Sequence, residues 1–131
     1  RNYYSRHDYE EVDAEAASGL IAALREKLPR LKGHHGIEAA DYFAYDDPVD
    51  GSRTTGQGIR LLFAGGSRIV YRLSGTGTAG ATLRVYIERY ESDPSRHDIE
   101  TQAALADLVA LSCGIAEIAA RTGRNAPTVI T

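Results

Sequence analysis

Val12, Ala16, Leu20, Leu24 and Leu28 recur every four residues, and Ile21 widens the stripe. That spacing predicts an amphipathic helix with a lead-in over the first 33 residues. Asp8 is its expected N-cap, with Glu11 as capping-box partner, and Pro29 and Gly33 end it. The next stretch is rich in loop residues. Its "DYFAY" predicts a short edge strand, and "DDPVDG" predicts a turn. The period then changes to two. Ile59, Leu61 and Phe63 alternate with Arg60 and Leu62. After "AGGS", Ile69, Tyr71 and Leu73 alternate with Arg68, Val70 and Arg72; further on, Leu83, Val85 and Ile87 alternate with Arg84, Tyr86 and Glu88. A second helix is predicted from about residue 97 to residue 122. Ile99, Leu105, Leu108, Val109, Ser112, Ile115 and Ile118 mark its buried face, and Gly123 is its stop. Short hairpin links require antiparallel pairing. The expected class is α+β: a four-stranded, mainly antiparallel sheet in the order α-β-β-β-β-α, covered by two helices on one face.

The chain has 131 residues, which suits one domain, and a hydrophobic fraction of 43% fills an ordinary core. A net charge of −3 shows no whole-chain footprint for nucleic acid or membrane, and neither is expected as a partner. The single cysteine excludes an internal disulfide framework and fits a reducing compartment. No apolar run is long enough for a bilayer, and no signal-peptide pattern is present. The chain lacks Met and begins "RNYYSRHDYEE", so a fragment of a larger protein is expected.

Between two of the strands lies "YRLSGTGTAGATLRVY", which contains the G-x-G-x-x-G spacing at Gly75, Gly77 and Gly80. A dinucleotide fingerprint must open a helix, but here "ATLRVYIERY" continues as a strand. A kinase glycine loop needs a lysine on the following strand, and the only lysines are Lys27 and Lys32. What remains is a hairpin whose register the hydrophobic pattern selects. Pairing Leu73 with Leu83 sets Tyr71 opposite Val85, Ile69 opposite Ile87, Val70 opposite Tyr86 and Arg68 opposite Glu88. It also sets Arg72 opposite Arg84. Facing like charges destabilise a sheet, and such local conflicts mark functional sites. An oxyanion between the guanidiniums resolves this one. Ser74, Thr76 and Thr78 offer hydroxyls, and the glycines let backbone N–H groups converge on the anion. The residues therefore predict a phosphate or carboxylate site; a charged hairpin end open to solvent is the alternative.

Other chemistry-bearing residues read as structural. Asp46, Asp47 and Asp50 lack calcium-loop spacing and read as a structured turn. His34 and His35 read as exposed loop residues. Cys113 reads as a small buried hydrophobe within the last helix. Arg6 and His7 precede the first expected helix, where Arg6 reads as solvated charge, with a hinge or interdomain role as the alternative.

"GSRIVYRLSGTGTAGATLRVYIERYE" resembles the C-terminal domain of phosphoglucomutase, in the α-D-phosphohexomutase superfamily, and so do "RNYYSRHDYEEV", "DYFAYDDPVDGS" and "TGRNAPTVIT". The resemblance spans essentially the whole chain. Other branches of the superfamily usually carry R-x-S-G-T-E-P; Gly77 and Thr78 stand in place of that Glu and Pro, which points to the glucose-type enzymes. The resemblance implies a TATA-binding-protein-like fold and a single domain over residues 1–131. It implies a parent enzyme that interconverts glucose 1-phosphate and glucose 6-phosphate through a phosphoserine and glucose 1,6-bisphosphate, assisted by Mg²⁺, in the cytoplasm. Carried over by motif, Arg72, Ser74, Gly75, Thr76, Gly77 and Arg84 would clamp the phosphate that is not being transferred. The family's T-x-S-H-N-P-like phosphoserine loop, its D-G-D-x-D-R-like metal loop and its sugar-discriminating loop are absent. No catalytic residue and no metal ligand is therefore expected here; upstream domains of the same enzyme would supply them. The competing readings are a free-standing phosphosugar- or anion-binding module and a purely structural domain.

Overall fold

Tyr3, Ser5, His7 and Tyr9 point inward at every second position and are all buried. In the computed structural model, residues Asn2–Val12 accordingly form a strand, β1, where a helix lead-in was expected. Ser5 and His7 occupy inward positions, so the alternation does not show as hydrophobic. The four-residue stripe from α1 (Ala14–Leu31), meanwhile, runs back as far as Val12. Asp8 is therefore no N-cap. Asp13 takes that role, with its carboxylate accepting a 3.0 Å hydrogen bond from the Ala16 N–H. Glu11 adopts a left-handed conformation (φ 55°) where the β1 register shifts between Tyr9 and Val12.

The structure describes residues 1–49, 52–74 and 80–131, the side chains of 47–49 and 52–55 excepted. Four strands follow α1: β2 (Ile37–Val49), β3 (Ser52–Phe63), β4 (Arg68–Ser74) and β5 (Ala81–Tyr90). β2 is far longer than the short strand expected. It runs through Asp46 and Asp47, which are strand and not turn, to Val49, which pairs with Ser52. The rest of the expected turn, Asp50 and Gly51, lies outside the described residues. A 3₁₀ turn (Pro94–Arg96) leads to α2 (Thr101–Ala116). The single helix expected here is broken at Glu117, whose φ of 54° is left-handed, and resumes as α3 (Ile118–Thr122). Gly123, at φ 75°, is the C-terminal stop as expected. β6 (Val129–Ile130) closes the chain.

The described sheet has six strands, not four, in the order β2-β3-β4-β5-β1-β6, with every neighbouring pair antiparallel. The two unforeseen strands are β1, which slots in beside β5, and β6, which has only two residues and so no readable period. The β4–β5 hairpin has the register read from the sequence, from Arg68↔Glu88 through Arg72↔Arg84 to Leu73↔Leu83.

One face of the sheet is covered by the helices. Leu20, Ile21 and Leu24 of α1 and Leu105 of α2 meet Ile59, Leu61, Ile69, Tyr71, Leu83 and Ile87, each at most 1% exposed. Burying a side chain of this size contributes about 1.5–3 kcal/mol. Tyr71 fastens sheet to helix by donating a 2.7 Å hydrogen bond from its hydroxyl to the Ser112 carbonyl. The candidate chemistry lies on the other face.

Candidate functional site

Register aligns Phe43, Gly58, Arg72, Arg84 and Asp8 in one row across five strands of the open face. Arg72 and Arg84 are directly opposite each other, as the pattern predicted. Their surroundings differ. The Arg72 guanidinium carbon sits 4.1 Å from the centre of the Tyr45 ring and 5.9 Å from that of Tyr86, within cation–π range. Arg84 Nε lies 3.8 Å from Asp8 Oδ2.

Asp8 is 4% exposed, in place of the helix-capping role expected of it. Arg6 Nε is 3.0 Å from its Oδ1, close enough for an ion pair but not aligned as a hydrogen bond. Arg6 is thus half-buried against a carboxylate and not a freely solvated charge. His7 is buried too, with Nε2 3.1 Å from Gln102 Oε1. Two guanidiniums, those of Arg6 and Arg84, therefore share one carboxylate here, with Arg72 next in the row. The Nε atoms of Arg6, Arg72 and Arg84 and Oδ1 of Asp8 are buried, with no hydrogen-bond partner among the described residues. Buried donors left unmatched are costly, on the order of 1–3 kcal/mol each, and an excess of positive charge beside them suits an anion. The like-charge conflict inferred from the pairing is thus softened by Asp8 on one side and aromatic faces on the other.

Ser74 ends β4 opposite Thr82 and is half-buried. Gly75, Thr76, Gly77 and Thr78 lie outside the described residues. Gly80 has a local role. It has φ +84°, and a Cβ there would lie 2.9 Å from the Val12 carbonyl oxygen. This glycine lets the chain re-enter the sheet against β1, and a strand follows it, in keeping with the rejection of the dinucleotide reading.

An open cleft of about 470 Å³ adjoins the row, lined by Val70, Tyr86, Phe43 and the arginines Arg60, Arg68 and Arg72. Arg60 forms two hydrogen bonds with Asp41 at 2.7 and 3.1 Å, which raise its pKa above the ordinary arginine value. Arg68 pairs with Glu88 at 2.8 Å. Arg72 has no carboxylate within 4.0 Å among the described residues. Sequence reasoning missed Asp8, Arg6 and Tyr45. Their link to the two arginines runs across strands far apart in the chain, and only the pairing of β1 with β5 would have exposed the first two.

The remaining candidates stay apart from this row. His34 and His35 are exposed. Cys113 is half-buried, its Sγ 3.6 Å from the Tyr9 hydroxyl. Among the described residues no three His, Cys, Asp or Glu side chains converge as a metal site would require, and no helix is long and apolar enough to cross a membrane.

An antiparallel sheet with helices on one face and two facing arginines on the other defines the class: an α+β domain with a cationic open face. Residues 1–128 match the family model described as phosphoglucomutase-1, C-terminal domain, and the chain belongs to that family. It is similar to the phosphoglucomutase of Rhizobium radiobacter, at 65% identity over 135 residues, covering 100% of this chain and 25% of that protein. A cytoplasmic phosphoglucomutase of Populus tremula is 51% identical over 142 residues, covering 100% of this chain and 24% of that protein. The crystal structure of pp63/parafusin, a phosphoglucomutase from Paramecium, in its open form, superposes with a TM-score of 0.82 at 47% identity, over 100% of this chain and 23% of that one. The chain thus spans about a quarter of the length of these relatives.

Proposed function

We propose that this domain holds the non-transferring phosphate of a hexose phosphate in an enzyme that interconverts glucose 1-phosphate and glucose 6-phosphate. The observation that supports this most is the Arg72–Arg84 pair, with both Nε atoms buried and unmatched. Arg72 and Arg84 supply charge-assisted contacts to phosphate oxygens, Ser74 a hydroxyl, and Gly75, Thr76 and Gly77 the backbone donors of the loop. Held in this way, the sugar presents its other end to a phosphoryl donor elsewhere in the enzyme, and glucose 1,6-bisphosphate is the intermediate that turns over between the two transfers. Binding energy spent on the remote phosphate positions the reacting one. The described residues do not fit Mg²⁺; a metal assisting transfer would be held by the upstream domains, which are this domain's partners. The cytoplasm is our reading of the compartment, by analogy with the Populus relative, although chloroplastic relatives match as well.

Melting curves test the binding. Glucose 6-phosphate should stabilise the chain by about 2.7 kcal/mol at a hundredfold excess over its dissociation constant. The reference is glucose with chloride at matched ionic strength, since screening alone weakens the repulsion. Arg72→Gln and Arg84→Gln should each abolish the ligand-specific shift; a shift that survives both places the ligand elsewhere. Because Asp8 offsets Arg84, Arg84→Gln is not expected to raise the ligand-free melting temperature. The chain by itself should form no glucose 6-phosphate from glucose 1-phosphate in a coupled assay, since it carries no phosphoryl donor loop. Activity in a rigorously purified sample would sink that expectation.

A further inference from the structure

Arg72 differs from the other arginines of the open face. Arg60, Arg68 and Arg84 each lie near a carboxylate: Asp41, Glu88 and Asp8. Arg72 instead rests on the ring of Tyr45, 4.1 Å from its centre. Tyr45 belongs to β2, two strands away, and reaches Arg72 by lying flat across β3. It can do so because the residue opposite it is Gly56. A Cβ at Gly56 would sit 2.2 Å from Tyr45 Cζ, an impossible contact. Phe43 lies over Gly58 in the same way, and its ring centre is 6.0 Å from that of Tyr45. The Tyr45 hydroxyl then donates a 3.0 Å hydrogen bond to the carbonyl of Leu73, the residue between Arg72 and Ser74.

We infer that Tyr45 is the positioning residue of the phosphate clamp: its ring fixes the Arg72 guanidinium and its hydroxyl fixes the backbone where β4 meets the loop. The inference rests on the clamp reading above. Its physical point is that an aromatic face orients a cation without neutralising it. A carboxylate in the same place would compete with the incoming phosphate for the guanidinium N–H donors; a π face uses none of them. The glycines opposite Tyr45 and Phe43 are part of the device, since any side chain there would lift the rings off the sheet.

The test is a double-mutant cycle between Tyr45 and Arg72 in the full-length gene product, read as KM and kcat for glucose 1-phosphate. Tyr45→Met keeps bulk over Gly56 but removes the π face. It should lower kcat/KM about threefold to thirtyfold, and Tyr45→Phe should recover most of that loss. Once Arg72 is already Gln, Tyr45→Met should cost no more than Tyr45→Phe does in the wild-type background, because the ring acts through Arg72 and only the hydrogen bond to the Leu73 carbonyl remains to be lost. Ring-fluorinated phenylalanines at position 45 provide a series that barely alters shape, should Tyr45→Met fail to fold; activity should fall as fluorine drains the ring face. Equal and additive losses in both backgrounds, or no loss along the fluorine series, would overturn the inference while leaving the clamp intact. Unchanged kinetics in Arg72→Gln would overturn the clamp itself.

Discussion

Arg84→Ala in the full-length protein is expected to lower kcat/KM about tenfold to a hundredfold, with KM raised and turnover slowed together. A charge-assisted hydrogen bond to phosphate is worth roughly 1.5–3 kcal/mol, which sets that scale. In the proposed clamp the Arg84 guanidinium would hold a phosphate remote from the reacting one, so its removal should cost positioning as well as binding. The substitution also leaves Asp8 buried with Arg6 as its remaining cationic partner, a second penalty on the same corner. Arg60→Ala is the comparison. Arg60 is also a strand arginine of the open face, but it is engaged by exposed Asp41, and an exposed pair of that kind contributes about 0–1 kcal/mol. Wild-type constants in Arg84→Ala would remove Arg84 from the site.

Tyr71→Ala is expected to destabilise the domain by about 3–5 kcal/mol, the usual cost of emptying a buried aromatic site. That corresponds to a fall of roughly 10–20 °C in melting temperature for a domain of this size. Tyr71 is 0% exposed and ties β4 to α2 through Ser112. Tyr71→Phe keeps the ring and should cost about 1 kcal/mol. Because Tyr71 faces away from Arg72, the Phe variant should bind sugar phosphate as wild type does. A pH dependence accompanies this. Burial raises the Tyr71 phenol well above its ordinary pKa, and burial raises that of Tyr9 as well. A raised folded-state pKa means stability that is complete below about pH 10, where unfolded tyrosine titrates, and that is lost as pH rises beyond it. Tyr71→Phe should therefore lose less stability than wild type between neutral and strongly alkaline pH. A Tyr71→Ala protein that melts with wild type would contradict the described core.

The β4–β5 hairpin was legible because three independent signals agree: strict alternation on both strands, a small-residue loop, and a register that only one pairing satisfies. The arginine pair followed from that register alone. β1 was hidden because inward Ser5 and His7 break the hydrophobic alternation and His7 instead finds Gln102. The length of β2 was hidden because Phe43 and Tyr45 make its outer face as apolar as its inner one; the glycines that accommodate them are on the next strand. Glu117, a left-handed residue within a helical pattern, carries no composition signal of the kind glycine gives. Tyr45 and Asp8 reach Arg72 and Arg84 through tertiary contact, and no local period encodes that.

The placement of β1 between β5 and β6 also sets an order of assembly. Strands β2 to β5 form a meander of neighbours in sequence and can pair as each emerges from synthesis. β1 is made first, yet its partner β5 comes four strands later, and β6 only at the close. Such long-range pairing is slow. Until β1 docks, β5 presents an open edge of unpaired backbone groups, and Arg84 lacks Asp8. The carboxylate beside Arg84 is thus supplied by the strand whose pairing spans the greatest separation along the chain, and docking of β1 would close a sheet edge and bring Asp8 to Arg84 in one event.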